Sequence, residues 1–220
     1  MRLSEQTVSL LKNFAGINQN IQFKTGNRIQ TISAQKNILV NTEVPESFPS
    51  DFAIYDLNKM LGVMSLFQDP ELEIGDKTMK VGGKVNYMFA DPTMIVTPPE
   101  NNITVPDPEV KFKLTSDTLT QVLKAGNVLG TPEIVVEGGP HPNDTLRIKA
   151  MDVNNDSTDT FQVNLAETSD STFRFVFRTE NFKMFPGNYD VEISSKGIAR
   201  FSKNQLQYWI ATESSSTYGV

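Results

Sequence analysis

The chain contains no cysteine and a single histidine, His141. The missing thiols exclude disulfides and thiolate metal sites, and they fit a reducing cytoplasm. One histidine and no cysteine leave little from which to build a zinc or iron centre. A Ser-His-Asp or Cys-His relay would need His141 as its base. That residue stands between two prolines in Gly138-Gly139-Pro140-His141-Pro142-Asn143-Asp144 and reads as a surface loop residue. No apolar run reaches the roughly 18 residues of a membrane helix. The N-terminal stretch Met1–Gln6 turns polar at once, where a signal peptide would open an apolar segment. Positive charge is also in deficit, with 20 basic against 26 acidic residues and a formal net charge of −6. Taken whole, such a surface repels nucleic acid. Any DNA role therefore requires the cations to be gathered on one face.

Two motifs imitate binding loops and fail on inspection. Asp152-Val153-Asn154-Asn155-Asp156 starts with the alternate oxygens of a calcium loop. Ser157 then stands where glycine is needed, and Val163 where a bidentate glutamate belongs. Gly82-Gly83-Lys84 imitates a phosphate loop, but Thr78 replaces its first glycine, and strand-like Val85–Phe89 follows where a helix should begin. The carboxylates are scattered, so no acid–base pair stands out. Nothing in the residues argues for an active site.

What the chain does hold is a repeat. Leu3-Ser4-Glu5-Gln6-Thr7-Val8-Ser9-Leu10-Leu11 returns half a chain length later as Leu114-Thr115-Ser116-Asp117-Thr118-Leu119-Thr120-Gln121-Val122, with six of nine positions keeping their residue type. A unit built twice is the simplest reading, and 220 residues suffice for two small cores. Each copy starts like a helix, with Ser4 or Thr115 as N-cap and an apolar contact across the first turn, Leu3 to Val8 and Leu114 to Leu119. Asp56–Phe67 has helical apolar spacing at 57, 60, 61, 64 and 67, and Thr179–Phe185 reads as a short helical turn closed by Pro186-Gly187. Each half is thus expected to hold two helices with one lysine apiece: Lys12 and Lys59, then Lys124 and Lys183. Taking Val8, Leu11 and Ala15 as the inner stripe of the first helix puts Lys12 at its edge. Lys124 projects opposite its own stripe.

Strand patterns fill most of the remainder, at 28–33, 37–42, 133–137, 173–178 and 206–212. Joined by Gly, Asn, Asp and Pro turns, they suggest antiparallel sheets. Phe173, Phe175 and Phe177 share one face of their strand, with Arg174, Val176 and Arg178 on the other. Four of the chain's 12 prolines fall within 97–108, marking a stiff extended connector.

Certain segments resemble the sliding clamps of T-even-type bacteriophages. They are Leu10–Ala15 with Ile17-Asn18, Ala53–Asn58 with Leu61-Gly62 and Ser65-Leu66, Ala90-Asp91-Pro92, and Met184–Tyr189. The likeness runs end to end and is weakest at 33–50 and 138–172. It implies an α+β DNA-clamp fold with two similar domains, 1–108 (including connector 97–108) and 109–220, each with antiparallel sheets outside and two helices inside. Three subunits would close a homotrimeric ring whose twelve helices surround duplex DNA. Lys12, Lys59, Lys124 and Lys183 would face the hole, with Arg2 beside them and the acidic remainder outside. The likeness also implies a partner-peptide pocket near the connector and last long strand, at Val105, Pro106, Tyr208 and Ile210. Core packing is the competing reading of Tyr208 and Ile210. It further implies a protein that is no enzyme and needs no cofactor or metal. Its partners would be double-stranded DNA of any sequence, the phage DNA polymerase, an ATP-driven clamp loader and RNA polymerase-associated late-transcription factors. Its place would be the cytoplasm of the infected host. The residues alone leave open a β-rich structural phage protein of tail or baseplate, and more distantly a carbohydrate hydrolase.

Overall fold

A computed structural model describes residues 1–100, 103–139, 144–155 and 157–219. The chain forms two compact units, Met1–Asn102 and Ile103–Val220, which divide within the proline-rich stretch. The downstream part of that stretch is fastened to the second unit. Ser194 Oγ donates to the Pro106 carbonyl at 2.6 Å, Lys196 Nζ pairs with Asp107 at 2.7 Å, and Ser195 N–H donates to Glu109 at 2.8 Å.

The first unit opens with helix α1 (Glu5–Ile17), capped by Ser4, whose hydroxyl accepts the Thr7 N–H at 3.2 Å. Glu46 completes the cap from a distant strand, accepting from the Ser4 N–H and from Thr7 Oγ1. In a local capping box the carboxylate would stand three residues into the helix. Strands β1 (Ile21–Phe23), β2 (Gly26–Ile32), β3 (Ile38–Phe48) and β4 (Phe52–Ile54) follow. β1 pairs with β4 and β2 with β3, both antiparallel. Phe23, Phe48, Phe52 and Phe89 pack together, with ring centroids as close as 4.7 Å. Helix α2 (Leu57–Met64) is capped by Asp56, which accepts the Lys59 N–H at 2.8 Å. A meander of β5 (Leu72–Ile74), β6 (Thr78–Val81) and β7 (Val85–Met88) closes the unit, followed by a 3₁₀ turn at Pro92–Met94. Gly82 and Gly83, with φ of +58° and +69°, make the β6–β7 turn. The failed phosphate loop is therefore a hairpin turn that needs two left-handed residues.

The second unit begins with β8 (Val110–Leu114) and helix α3 (Ser116–Leu129), whose cap Thr115 accepts the Thr118 N–H at 3.1 Å. Gly130, at φ +68°, ends that helix in the left-handed conformation that favours glycine. The remaining strands are β9 (Glu133–Gly138), β10 (Asp144–Met151), β11 (Phe161–Ser169), β12 (Phe173–Arg178), β13 (Tyr189–Ser194), β14 (Ile198–Lys203), β15 (Leu206–Ala211) and β16 (Thr217–Tyr218). One antiparallel sheet runs β11-β10-β9-β12-β16, and β8, β13, β14 and β15 pair in that order. α3 packs on β9, β10 and β11 through Leu119, Val122 and Gly126. A Cβ on Gly126 would lie 3.4–3.6 Å from Thr131, Ala150 and Thr179, so the helix approaches its sheet closely there. Phe173, Phe175 and Phe177 all face the core. Val176, on the opposite face, is buried as well, with its N–H donating to Ser216 Oγ and its carbonyl accepting from the Glu213 N–H.

One expected element differs. The second unit holds a single α-helix among its described residues, and Thr179–Asn181 forms only a 3₁₀ turn. Pro186 cannot donate an N–H and disfavours helical backbone at Phe185. The few residues between β12 and that proline are too short a run to repay helix nucleation.

Candidate nucleic-acid interface

On α1 the buried residues are Thr7, Leu10, Leu11, Phe14 and Ile17. This stripe is rotated from the expected one, because Glu46 and the cap draw Thr7 inward while Val8 and Ala15 stay half-buried. At about 100° per residue Lys12 then points roughly 160° from the stripe's centre. It is not at the edge, as the sequence suggested. On α2, with Leu57, Met60, Leu61 and Met64 buried, Lys59 lies roughly 150° from the centre; on α3 Lys124 lies roughly 165° away. All three lysines are exposed, and none forms an ion pair among the described residues. Each helix thus spends its apolar face on its own unit and turns a cation to solvent.

The fourth lysine is placed differently. Lys183 is exposed, but it follows the 3₁₀ turn in a coil between β12 and β13. Arg2 is exposed and pairs with Asp69 at 3.1 Å, so its charge is partly answered within the protein. Asp69 gave no sign of this role in sequence, because the contact crosses 67 positions.

In the first unit a groove of about 780 Å³ lies between α1 and the end of α2, with Leu3, Val8, Lys12, Leu61, Met64 and Gln68 among its walls. In the second unit a groove of about 480 Å³ is lined by Leu119, Leu123, Lys124, Val128, Met184 and Pro186. The residues flanking Lys183 therefore meet the lysine-bearing face of α3. Sequence spacing could not bring 124 and 184 together; the turn before β13 does.

The expected peptide pocket needs correction. Val105 and Pro106 are half-buried at the connector. Tyr208 and Ile210, at 0 % exposure, are core residues of the second unit and present no surface to a peptide. Alternation along β15 sends both to the inner face.

Nothing resembles acid–base machinery. Hydrogen bonds from Thr93 hold the Asp91 carboxyl below its usual range, and the Lys196 ammonium does the same for Asp107. Burial pushes the Tyr87 phenol up. None of the groups with shifted pKa values lines either groove. Among the described residues no cluster of carboxylates or histidine could hold a metal. The rejected calcium loop uses its oxygens on itself: Asp152 Oδ1 accepts the Asn154 N–H, and Asn155 Oδ1 accepts the Ser157 N–H. Asp156 and the His141 loop lie outside the described residues. No described helix is long and apolar enough to cross a membrane.

Comparison with known proteins converges on one family. Residues 4–87 match the family described as DNA polymerase processivity factor, and residues 111–214 match gp45 sliding clamp, C terminal. The sliding clamp of Vibrio phage KVP40 is 33% identical, over 97% of this chain and 99% of that protein. The sliding clamp of Enterobacteria phage T4 is 31% identical over 99% of both. In structure the chain is similar to A. fulgidus PCNA, solved with the C-terminal region of FEN-1 (TM-score 0.67, 14% identity, 98% of each chain). It is also similar to PCNA of Entamoeba histolytica (TM-score 0.66, 12% identity, 94% of each chain). At such low identities these two structures establish the fold alone.

Proposed function

The chain belongs to the phage sliding clamps, the processivity factors of DNA polymerase, and from that premise we propose that three copies close into a ring around duplex DNA. Each of the two units serves as one clamp domain, with the boundary at the end of the proline-rich connector. Lys12, Lys59, Lys124 and Lys183 line the hole. Three copies would bring nine described α-helices and three coil-borne lysines to that lining, in place of the twelve helices expected from sequence. The observation that carries this reading is the shared orientation of Lys12, Lys59 and Lys124, each opposite the buried stripe of its helix.

The physics favours a loose hold. Duplex DNA carries about one negative charge per 1.7 Å of axis, so exposed lysines attract it whatever its sequence. Phosphate contacts set no sequence register, and the ring can move along the helix. Enclosure supplies retention, so affinity stays modest. The acidic balance of the chain, placed on the outer surface, would discourage stray binding there.

The same family reading extends to partners. The ring tethers the phage DNA polymerase through a short hydrophobic peptide near Val105 and Pro106. An ATP-driven loader opens it, since the sequence carries no nucleotide-binding loop. RNA polymerase-associated factors use the loaded ring for late transcription in the cytoplasm of the infected host. The alternative of a tail or baseplate protein draws no support from these likenesses. The test is polymerase extension on a primed circle with loader and with the Lys12/Lys59/Lys124/Lys183→Gln variant. Shortened products at unchanged protein stability are expected, and full-length products would remove these lysines from the mechanism.

A further inference from the structure

Lys183 stands on a coil, and a coil by itself does not aim a side chain. The residues around it replace the missing helix. Phe185, two positions on, has both backbone polar groups taken by tyrosine hydroxyls: its N–H donates to Tyr208 Oη at 3.0 Å, and its carbonyl accepts from Tyr189 Oη. The tyrosines come from different strands, β15 and β13, and their rings meet edge to face with centroids 6.1 Å apart. Both side chains are fully buried, so neither hydroxyl can swing away. One position before Lys183, Phe182 packs edge to face on Phe177 and Phe201, with centroids 5.7 Å from each. Beyond Phe185, Lys203 Nζ donates to the Pro186 carbonyl at 2.9 Å and lies 5.8 Å from the centre of the Phe185 ring. The Ser116 N–H donates to Asn188 Oδ1 at 2.8 Å, tying the end of the segment to the first turn of α3.

We propose that Tyr189 and Tyr208 are positioning residues for the DNA contact: by gripping Phe185 from both sides, they hold Lys183 in a fixed outward direction. They do for this coil what the internal hydrogen bonds of α1, α2 and α3 do for the other three lysines. The inference rests on the reading that Lys183 faces DNA. It also gives Tyr208 a role at the core, where a peptide pocket had been expected. Burial, then the neighbouring Tyr208, pushes the Tyr189 phenol far above its ordinary range. Burial does the same to Tyr208 against the opposing Phe185 hydrogen bond. Both hydroxyls therefore stay protonated near neutral pH, and removing them alters no charge facing the duplex.

The full-length protein is titrated with a short linear duplex at several salt concentrations, comparing wild type, Lys183→Ala, Tyr189→Phe/Tyr208→Phe, and the triple variant. Amide exchange at Phe185 is followed alongside. Lys183→Ala should weaken association on the order of three- to tenfold at low salt. The paired tyrosine variant should speed Phe185 exchange and weaken association by a similar factor, with no further loss in the triple variant. If Lys183→Ala weakens binding while the tyrosine pair speeds exchange and leaves binding unchanged, the positioning role is overturned and the lysine reading stands. A further loss in the triple variant also overturns it, because the tyrosines would then act elsewhere. No effect of Lys183→Ala would sink the lysine reading at that position and this inference with it. Should the paired variant not fold, Tyr208→Phe alone carries the same comparisons.

Discussion

At the scale of single residues, charge placement matters more than charge count. Lys124 has an exposed head with no ion pair among the described residues, and its helix buries nothing on that side. Lys124→Gln should lower the slope of log affinity for duplex against log salt by about 0.9, the loss of one phosphate contact per subunit. Unfolding in urea should move by less than about 0.5 kcal/mol, as for other exposed substitutions. A large loss of stability with an unchanged slope would make Lys124 structural. Glu46 is the opposite kind of residue. Partial burial raises its carboxyl pKa, but hydrogen bonds from Thr7 and Ser4 together outweigh burial and hold it below its usual value of 4.5. A depressed folded pKa contributes stability above the unfolded value and loses it as pH falls through the folded one. Glu46→Gln should therefore cost about 1 kcal/mol at neutral pH, kept small by the residue's half-exposed position. The difference from wild type should shrink as pH drops below 4.5. A cost independent of pH would mean that shape, not charge, carries the cap.

At the scale of elements, the helices trade stability for surface. Gly62 stands inside α2, where an added Cβ would meet nothing within 4 Å. Gly62→Ala should stabilise the first unit by about 0.5–1 kcal/mol, read as a raised melting temperature. Gly82 shows the reverse. Its φ is +58°, and a Cβ there would lie 2.9 Å from the Phe67 ring. Gly82→Ala should destabilise the protein by at least about 1 kcal/mol. Elements with strong local signals were legible: the two N-caps, the α2 spacing and the alternating phenylalanines of β12 all form as their residues dictate. The β5–β7 meander was read only in part, because its strands are short and turn-rich. The helix expected around Lys183 failed because Pro186 and two tyrosine hydroxyls compete for the backbone groups a helix would have used.

At the scale of the whole molecule, the proposed assembly makes its own demand. A trimer should persist in sedimentation at working concentrations, and the quadruple lysine variant should sediment alike while losing processivity. A monomer throughout would leave nothing to enclose the duplex.

The residue order by itself determined that the chain is built from a repeated unit, that each copy opens with a capped helix, and that no thiol chemistry is available. These properties follow from spacing and composition, which act locally. Only the tertiary structure decided which way Lys12 points, that Glu46 completes a cap from 39 positions away, and that Tyr208 belongs to the core. Each of those outcomes depends on what lies across a strand or a turn, and contacts between distant positions are set by packing, which a local pattern does not carry.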